Sequence, residues 1–187
     1  MKILGISGSL RKGSYNTALL RAAVSLMPDG VQLEVGSISG IPLYDGDLEA
    51  SHGIPPAVQA LKTKVIEAQG LLLVTPEYNN SIPGVFKNAI DWLSRPSSDI
   101  ARVFGGRPVG VIGASPGGFG TILSQNAWLP VLRTLGTKPW FGGRLQVSRA
   151  GNVFNEAGEL TDDAIRSQLR KYLSGFVDFS RNRPAGG

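Results

Sequence analysis

Short apolar runs alternate with helix-like segments along the chain. Strands are predicted where apolar residues form short runs between turn residues, and helices where apolar positions recur every three or four residues. The predicted strands are residues 2–6, 31–35, 70–75, 108–114 and a weak fifth within 138–147. The predicted helices are residues 15–27, 56–69, 83–93, 121–135 and 161–179, with a break at Pro130 and an N-cap at Thr161. Residues 40–54 are predicted to form a long loop.

The alternation of strands and helices predicts an α/β fold, a doubly wound parallel sheet with helices on both faces. No linker or repeat interrupts the pattern, so residues 1–187 are expected to form a single domain, with residues 182–187 as a loose tail. Ligands of such sheets bind beyond the carboxyl ends of the strands. The loops after strands one, three and four are therefore expected to carry the function.

The composition excludes several kinds of chemistry. The chain has no cysteine and one histidine, His52, which rules out disulfides, thiol nucleophiles and zinc or other metal sites built from these residues. The net charge of +5 favours acidic ligands, but no basic block suited to nucleic acid is present. Neither a signal peptide nor a run of about 18 apolar residues is visible, so a cytoplasmic protein without membrane contact is expected.

The loop after the first strand is rich in groups that bind anions. Ser7, Ser9 and Ser14 supply hydroxyls, and Arg11 and Asn16 add a guanidinium and an amide before the amino end of a helix. These groups form a candidate phosphate cradle. The alternative is a solvated loop in which Ser14 only caps the helix. The P-loop and dinucleotide glycine patterns are absent, and a terminal phosphomonoester suits a serine-rich loop with one arginine.

The loops after the third and fourth strands have two interpretations each. Residues 75–84 offer backbone donors, amides and an aromatic ring between two prolines, or they form a simple turn into the next helix. Glu77 is a general base, the partner of a cation or a carboxylate that faces solvent. Residues 114–120 contain three glycines, which allow a flat ligand to approach the backbone or provide a flexible connection.

A serine hydrolase is excluded although residues 113–117 match the pattern G-x-S-x-G around Ser115. In that architecture a histidine follows the serine, whereas His52 precedes it. The oxyanion hole also uses the N–H of the residue after the serine, and Pro116 has none.

Four motifs, in this order, resemble the NAD(P)H-dependent FMN reductase family, which includes bacterial chromate and quinone reductases. They are GSLRKGSYN at residues 8–16, PEYNNSIPG at 76–84, KNAIDW at 87–92 and SPGG at 115–118. The resemblance implies a flavodoxin-like five-stranded parallel sheet in the order 2-1-3-4-5, with FMN as cofactor and NADPH or NADH as co-substrate. Because the flavin carries the chemistry, no catalytic side chain and no metal are expected.

The same resemblance assigns the residues that contact FMN in three groups. Those for the phosphate are Ser9, Arg11, Ser14, Asn16 and Thr17. Those for the isoalloxazine are Pro76, Glu77, Tyr78, Asn79 and Ser81, and those for its far edge are Ser115, Gly117, Gly118 and Gly120. The implied acceptors are small molecules, namely quinones, free flavins, azo dyes or chromate, reduced in a ping-pong mechanism.

Two further expectations concern the surface. Arg95, Arg102 and Arg107 form either an electropositive mouth for anionic substrates or ordinary surface charge. The family forms homodimers or homotetramers, and five apolar residues are either contacts in such an assembly or core residues. They are Phe86, Trp92, Leu93, Trp128 and Trp140.

Two other functions are compatible with a flavin site. One is a flavodoxin-like electron carrier without NAD(P)H turnover, but such carriers are usually acidic and this chain is basic. The other is a flavin-binding regulatory module, which the distribution of the motifs over three loops does not exclude.

Overall fold

The computed structural model describes residues 1–181, and the predicted tail at residues 182–187 lies outside the described residues. Its sheet is parallel and has the strand order β2-β1-β3-β4-β5, with a short β6 that also pairs with β4. The strands are β1 Lys2–Ser7, β2 Gln32–Gly36, β3 Gly70–Val74, β4 Pro108–Ala114, β5 Lys138–Pro139 and β6 Gln146–Val147. The predicted order 2-1-3-4-5 is confirmed.

Helices cover both faces of this sheet. They are α1 Tyr15–Ser25, α2 Gly46–His52, α3 Pro56–Glu67, α4 Gly84–Leu93, α5 Ile100–Phe104, α6 Ile122–Thr134 and α7 Asp163–Arg181, with 3-10 turns at Ser97–Asp99 and Ala150–Asn152. Helices α1 and α7 pack on one face, and α3 to α6 pack on the other. Successive residues of β3 alternate between the two cores, with Leu72 in the first and Leu73 in the second.

The predicted fifth strand is split into two short pieces. β5 pairs with Pro108 and Val109 at the amino end of β4, and β6 pairs with its carboxyl end. Between them the chain bends around Trp140, which packs so closely on Gly143 that an added Cβ there would lie 2.8 Å from the indole. The edge of the sheet is therefore complete only at its two ends.

Three local predictions are wrong. Helix α2 lies within the predicted loop and buries none of its side chains, so it has no apolar stripe to reveal it; only the Asp45 cap and Gly53, at φ 74°, mark its ends. Helix α6 continues through Pro130, whose missing hydrogen bond falls on the exposed Asn126. Helix α7 is capped by Asp162 rather than by Thr161, whose hydroxyl instead donates to a backbone carbonyl.

No helix within residues 1–181 is both long enough and apolar enough to cross a membrane.

Candidate flavin site

Three loops converge at the carboxyl edge of the sheet. The first loop (residues 8–14) follows β1, the second (75–83) follows β3, and the third (115–121) follows β4. The hydroxyls of Ser9 and Tyr78 lie 3.5 Å apart and join the first two loops. The start of α1 is hydrogen-bonded to Ala114, directly before the third loop. The loops predicted to form one site thus lie together.

The amino end of α1 keeps free donors directed at the first loop. Ser14 caps the helix, since its hydroxyl accepts from the N–H of Thr17 at 3.3 Å, and the Thr17 hydroxyl lies 3.0 Å from that of Ser7. The backbone N–H groups of Tyr15 and Asn16 have no partner among residues 1–181. Capping by Ser14 and anion binding are therefore compatible, because the cap uses only one of the first donors.

Arg11 provides an exposed positive charge beside these donors. Its side chain is exposed and folds back to donate to the carbonyl of Gly13 at 3.0 Å, while its backbone N–H donates to Ser9. No carboxylate in the described part of the chain forms an ion pair with it. The guanidinium thus retains donors for a phosphate.

Asn16 differs from the other residues assigned to the phosphate. Its side chain is buried, its Nδ2 donates to the carbonyl of Ala114 at 2.8 Å, and its Oδ1 accepts from the N–H of the same residue at 2.9 Å. The carboxamide thus faces β4 rather than the first loop.

The second loop is shaped by a tight turn. Asn79 and Asn80 have φ values of 50° and 62°, a conformation that asparagine tolerates better than most residues. Tyr78 and Ser81 exchange two backbone hydrogen bonds across them, at 3.1 and 3.2 Å. The turn leaves Tyr78 43% exposed beside Ser9, where its ring and the turn backbone are accessible to a ligand.

Glu77 is attached to the amino end of α6. Its Oε2 accepts from the backbone N–H groups of Leu123 at 2.9 Å and Ser124 at 3.0 Å. A carboxylate at this position is stabilised by the helix dipole. The geometry favours a partner of positive charge over a general base, although that partner is a helix terminus and not a cationic side chain.

The buried hydroxyl of Thr75 fixes the start of the second loop through hydrogen bonds to α6. The indole N–H of Trp128 donates to the hydroxyl of Thr75 at 3.1 Å, and that hydroxyl lies 2.9 Å from the hydroxyl of Ser124. Since Ser124 also donates its backbone N–H to Glu77, the second loop is bound to α6 at two points.

The third loop combines a fixed end with an open centre. Ser115 donates to the carbonyl of Gly120 at 2.6 Å, and Gly120 has φ 63° with no room for a Cβ against Gln146. Gly117 and Gly118 are exposed, and a Cβ added at either would meet no protein atom within 3.6 Å. Neither glycine is required by packing, so the space beside them is available to a flat ligand.

Residues from a later segment support the third loop, which the sequence did not indicate. Arg149 donates its backbone N–H to Gly117 at 2.9 Å, and Ala150 donates to Ser115 at 3.0 Å. Both contacts join positions more than 30 residues apart and involve only the backbone. The sequence gives no signal for these contacts. Arg149 has a positive φ of 46°, but arginine is not a residue type that predicts this conformation.

The three arginines do not form a mouth at this edge. Arg107 is buried directly before β4, at the opposite end of the strand, and donates to the carbonyls of Ala68, Arg102 and Val103. Its guanidinium satisfies backbone groups inside the protein, which contradicts the expectation of a surface cation. Arg102 precedes it on α5 and pairs with Asp99 at 3.3 Å.

Arg95 follows the last turn of α4, the end remote from the second loop. It donates to Glu49 at 2.8 Å, and this hydrogen bond holds the pKa of the Glu49 carboxyl below its usual range. Its charge is therefore compensated locally.

Four of the five apolar residues considered as assembly contacts belong to the core. Phe86, Trp92, Leu93 and Trp128 are fully buried, and Trp140 is partly buried against Tyr172. The exposed large apolar residues near the third loop are instead Phe119, Ile122, Leu123, Leu129 and Phe141.

The site as a whole defines a protein that holds a flat, phosphorylated ligand on a parallel α/β sheet. A cradle of helix N–H groups and Arg11 follows β1, and the open backbone of Gly117 and Gly118 follows β4. FMN has both features, a terminal phosphate and a planar ring, and the residues present fit it.

Comparison with known proteins identifies the family. Residues 1–151 match the family described as NADPH-dependent FMN reductase. The chain is 45% identical over 173 residues to an NAD(P)H-dependent FMN reductase of Pseudomonas aeruginosa, covering 92% of this chain and 91% of the relative. It is 37% identical over 186 residues to a quinone reductase of Escherichia coli K12, covering 96% and 95%.

A solved structure agrees with these sequence matches. The flavoenzyme NAD(P)H:(acceptor) oxidoreductase FerB from Paracoccus denitrificans superimposes with a TM-score of 0.86 at 31% identity, covering 97% of this chain and 98% of that one. The chain belongs to the NADPH-dependent FMN reductase family. It is therefore an oxidoreductase of flavodoxin-like fold, with FMN as cofactor and NAD(P)H as reductant.

Proposed function

We propose that the chain reduces quinones and free flavins with NAD(P)H, and that both substrates use the same open face of the site in turn. The observation that carries this proposal is the exposed backbone at Gly117 and Gly118, on a loop at the same edge of the sheet as the loop with the exposed ring of Tyr78. Because glycine has no side chain to cover this face, reductant and acceptor can each reach a ring bound there. Bound FMN supplies hydride acceptance and donation at this position.

The side chains of the site bind and orient rather than react. The N–H groups at the start of α1 and the guanidinium of Arg11 would hold the phosphate of FMN. The turn at Asn79 and Asn80 leaves Tyr78 exposed, where it would contact the ring. Backbone N–H groups of the loops would supply hydrogen-bond donors for negative charge on bound FMN. Glu77, bonded to α6, holds the second loop in place.

Steady-state kinetics with NADPH and a benzoquinone test this proposal. A single face used in turn predicts parallel lines in double-reciprocal plots. It also predicts that each substrate inhibits at high concentration, and that a higher concentration of the other substrate relieves this inhibition. Intersecting lines would show that both substrates bind together and would contradict the shared face.

The electron-carrier alternative makes a different prediction. In the proposed enzyme, NADPH reduces the bound flavin at least as fast as the steady-state turnover with quinone. In an electron carrier, reduction of the flavin by NADPH would be far slower than such a turnover rate. Stopped-flow reduction by NADPH without an acceptor separates the two. The net charge of +5 favours the enzyme, because acidic carriers bind their partners through negative charge.

We also propose that the chain forms a homodimer or homotetramer through the exposed apolar residues of α6. Ile122, Leu123 and Leu129 are each more than a third exposed on this helix. Phe119 lies just before the helix in the chain, and Phe141 lines a cavity together with Ile122 and Leu129. Analytical ultracentrifugation of wild type and Leu123→Glu tests this, and an unchanged sedimentation coefficient in the variant would contradict the proposed surface.

Reduction of azo dyes or chromate and a cytoplasmic location stay predictions.

A further inference from the structure

The carboxamide of Asn16 completes the sheet where β3 ends. The ladder between β3 and β4 runs to the pair Val74 and Ile112, and the next bond is donated by Thr75 to the carbonyl of Ile112. The following residue, Pro76, has no N–H and leads the chain away. The ladder therefore stops two residues before β4 does.

Ala114 would be left without partners at this point. It lies two residues beyond Ile112, so its N–H and carbonyl face the same side, the side that β3 has left. The neighbouring residues Gly113 and Ser115 donate in the other direction, to residues of the β6 segment. Buried backbone groups without partners are costly.

Asn16 occupies the position of the missing strand. A primary amide has the same donor and acceptor as a peptide group, and here it donates to Ala114 at 2.8 Å and accepts from it at 2.9 Å. Its side chain is only 4% exposed. The second residue of α1 is thereby fixed to the last residue of β4, 98 positions later.

We infer that the side chain of Asn16 is a positioning group that sets the spacing between the phosphate cradle and the ring-binding third loop, and that this carboxamide does not contact the flavin. The amino end of α1 forms the cradle, and Ala114 is followed directly by Ser115 of the third loop. If α1 shifted relative to the third loop, FMN could not place its phosphate in the cradle and its ring against the third loop at the same time. This inference rests on the proposed function.

Asn88 offers a matched control. On α4, its Oδ1 accepts from the N–H of Tyr44 and its Nδ2 donates to the carbonyl of Pro42, both at 2.8 Å. It thus makes the same paired contact between a helix and a backbone segment, but it does not join the loops of the site. Asn88→Ala removes two equivalent bonds without altering the spacing at issue.

The first experiment compares amide hydrogen exchange at Ala114 in wild type, Asn16→Ala and Asn16→Ser, all without FMN. We expect faster exchange at Ala114 in both variants and wild-type exchange there in Asn88→Ala. Because it needs no flavin, this readout tests the contact even if the proposed function fails. Unchanged exchange at Ala114 in folded Asn16 variants would overturn the inference.

The second experiment uses the same proteins at saturating FMN. We expect the Asn16 variants to show an altered visible circular dichroism of bound flavin and a limiting rate of reduction by NADPH lower by about tenfold, the scale of a small misplacement. Asn88→Ala, whose side chain does not join the loops of the site, should give the wild-type spectrum and rate per folded protein.

Two outcomes would overturn the inference in different ways. A weaker FMN affinity with wild-type spectrum and rate would make Asn16 a direct phosphate ligand like Arg11. A loss that disappears when corrected for the folded fraction, as expected for Asn88→Ala, would make it purely structural. If wild type itself binds no FMN or is not reduced, the proposed function fails, and the exchange result alone decides whether Asn16 holds β4.

Discussion

Polar donors at the amino edge of the sheet have partners within the protein, whereas several donors at the carboxyl edge are left open. At the amino edge Arg107 is buried and bonded to backbone carbonyls, and Lys62, only 1% exposed, donates to the carbonyl of Arg95 and lies 3.1 Å from Asp99. At the carboxyl edge Arg11 is exposed and has no carboxylate partner among residues 1–181. The first two N–H groups of α1 have no hydrogen-bond partner among the same residues. Donors satisfied within the protein stabilise the fold, whereas donors left open at the carboxyl edge are available to a ligand.

This difference predicts a large loss of stability at the amino edge. Arg107→Ala should lower the free energy of unfolding by about 3–5 kcal/mol, because several buried carbonyls lose their donor. The midpoint of urea unfolding of the FMN-free protein measures this. The exposed Arg102→Ala, which removes only a surface pair with Asp99, should change it by about 0.5 kcal/mol or less. Comparable losses in both would contradict the distinction between the two arginines.

The carboxyl edge should show the reverse pattern with Arg11. We expect Arg11→Ala to weaken FMN binding by about 1.5–3 kcal/mol, the range for a hydrogen bond to a charged group, while leaving unfolding of the FMN-free protein unchanged. A fluorescence titration with FMN gives the dissociation constant. Lys12→Ala removes the neighbouring exposed cation as a control and should have little effect; an unchanged constant in Arg11→Ala would remove it from the phosphate site.

Gly117 tests the open centre of the third loop. Gly117→Val should reduce FMN affinity by about tenfold, roughly 1.4 kcal/mol, since the added methyl groups enter the space assigned to the ring. The protein itself has room, because the nearest atom to an added Cβ is the Ser115 hydroxyl at 3.7 Å. Far-ultraviolet circular dichroism should therefore match wild type, and Gly117→Ala should give a smaller loss. Normal loading in Gly117→Val would refute the close approach of the ligand.

The smallest expected effect concerns acid stability at the amino edge. The hydrogen bond from Lys62 lowers the pKa of Asp99, so the pair stabilises the protein above the unfolded pKa of about 3.9 and loses this contribution as pH falls through the lower folded value. In Asp99→Asn the fall in unfolding free energy below about pH 4 should be smaller by about 1 kcal/mol. Urea unfolding at pH 3 and 6 measures it, and an identical pH dependence would argue against the pair.

Sequence patterns were sufficient for the main strands of the sheet and for the three loops that meet at its carboxyl edge. The apolar run at β3 and the turn residues after it predicted a central strand and a functional loop, since both follow from local composition. The role of Asn16 could not be read in this way, because its partner Ala114 is 98 positions away and is used through its backbone. Arg107 was misplaced for the same reason: its acceptors are carbonyls, which every residue possesses.

Elements without a hydrophobic stripe were also missed. Helix α2 has no buried side chain, and α5 has only five residues, too few for a periodic pattern. The assignments of Ser9, Asn79 and the third-loop glycines to the flavin stay predictions.

The visible absorption spectrum of the purified protein, before and after anaerobic NADPH, tests the central claim most directly. We predict a flavin band, carried by the protein or acquired from added FMN, that is bleached by NADPH and restored by a quinone. A colourless protein that takes up no FMN would contradict the account, because the three loops would then bind a different ligand.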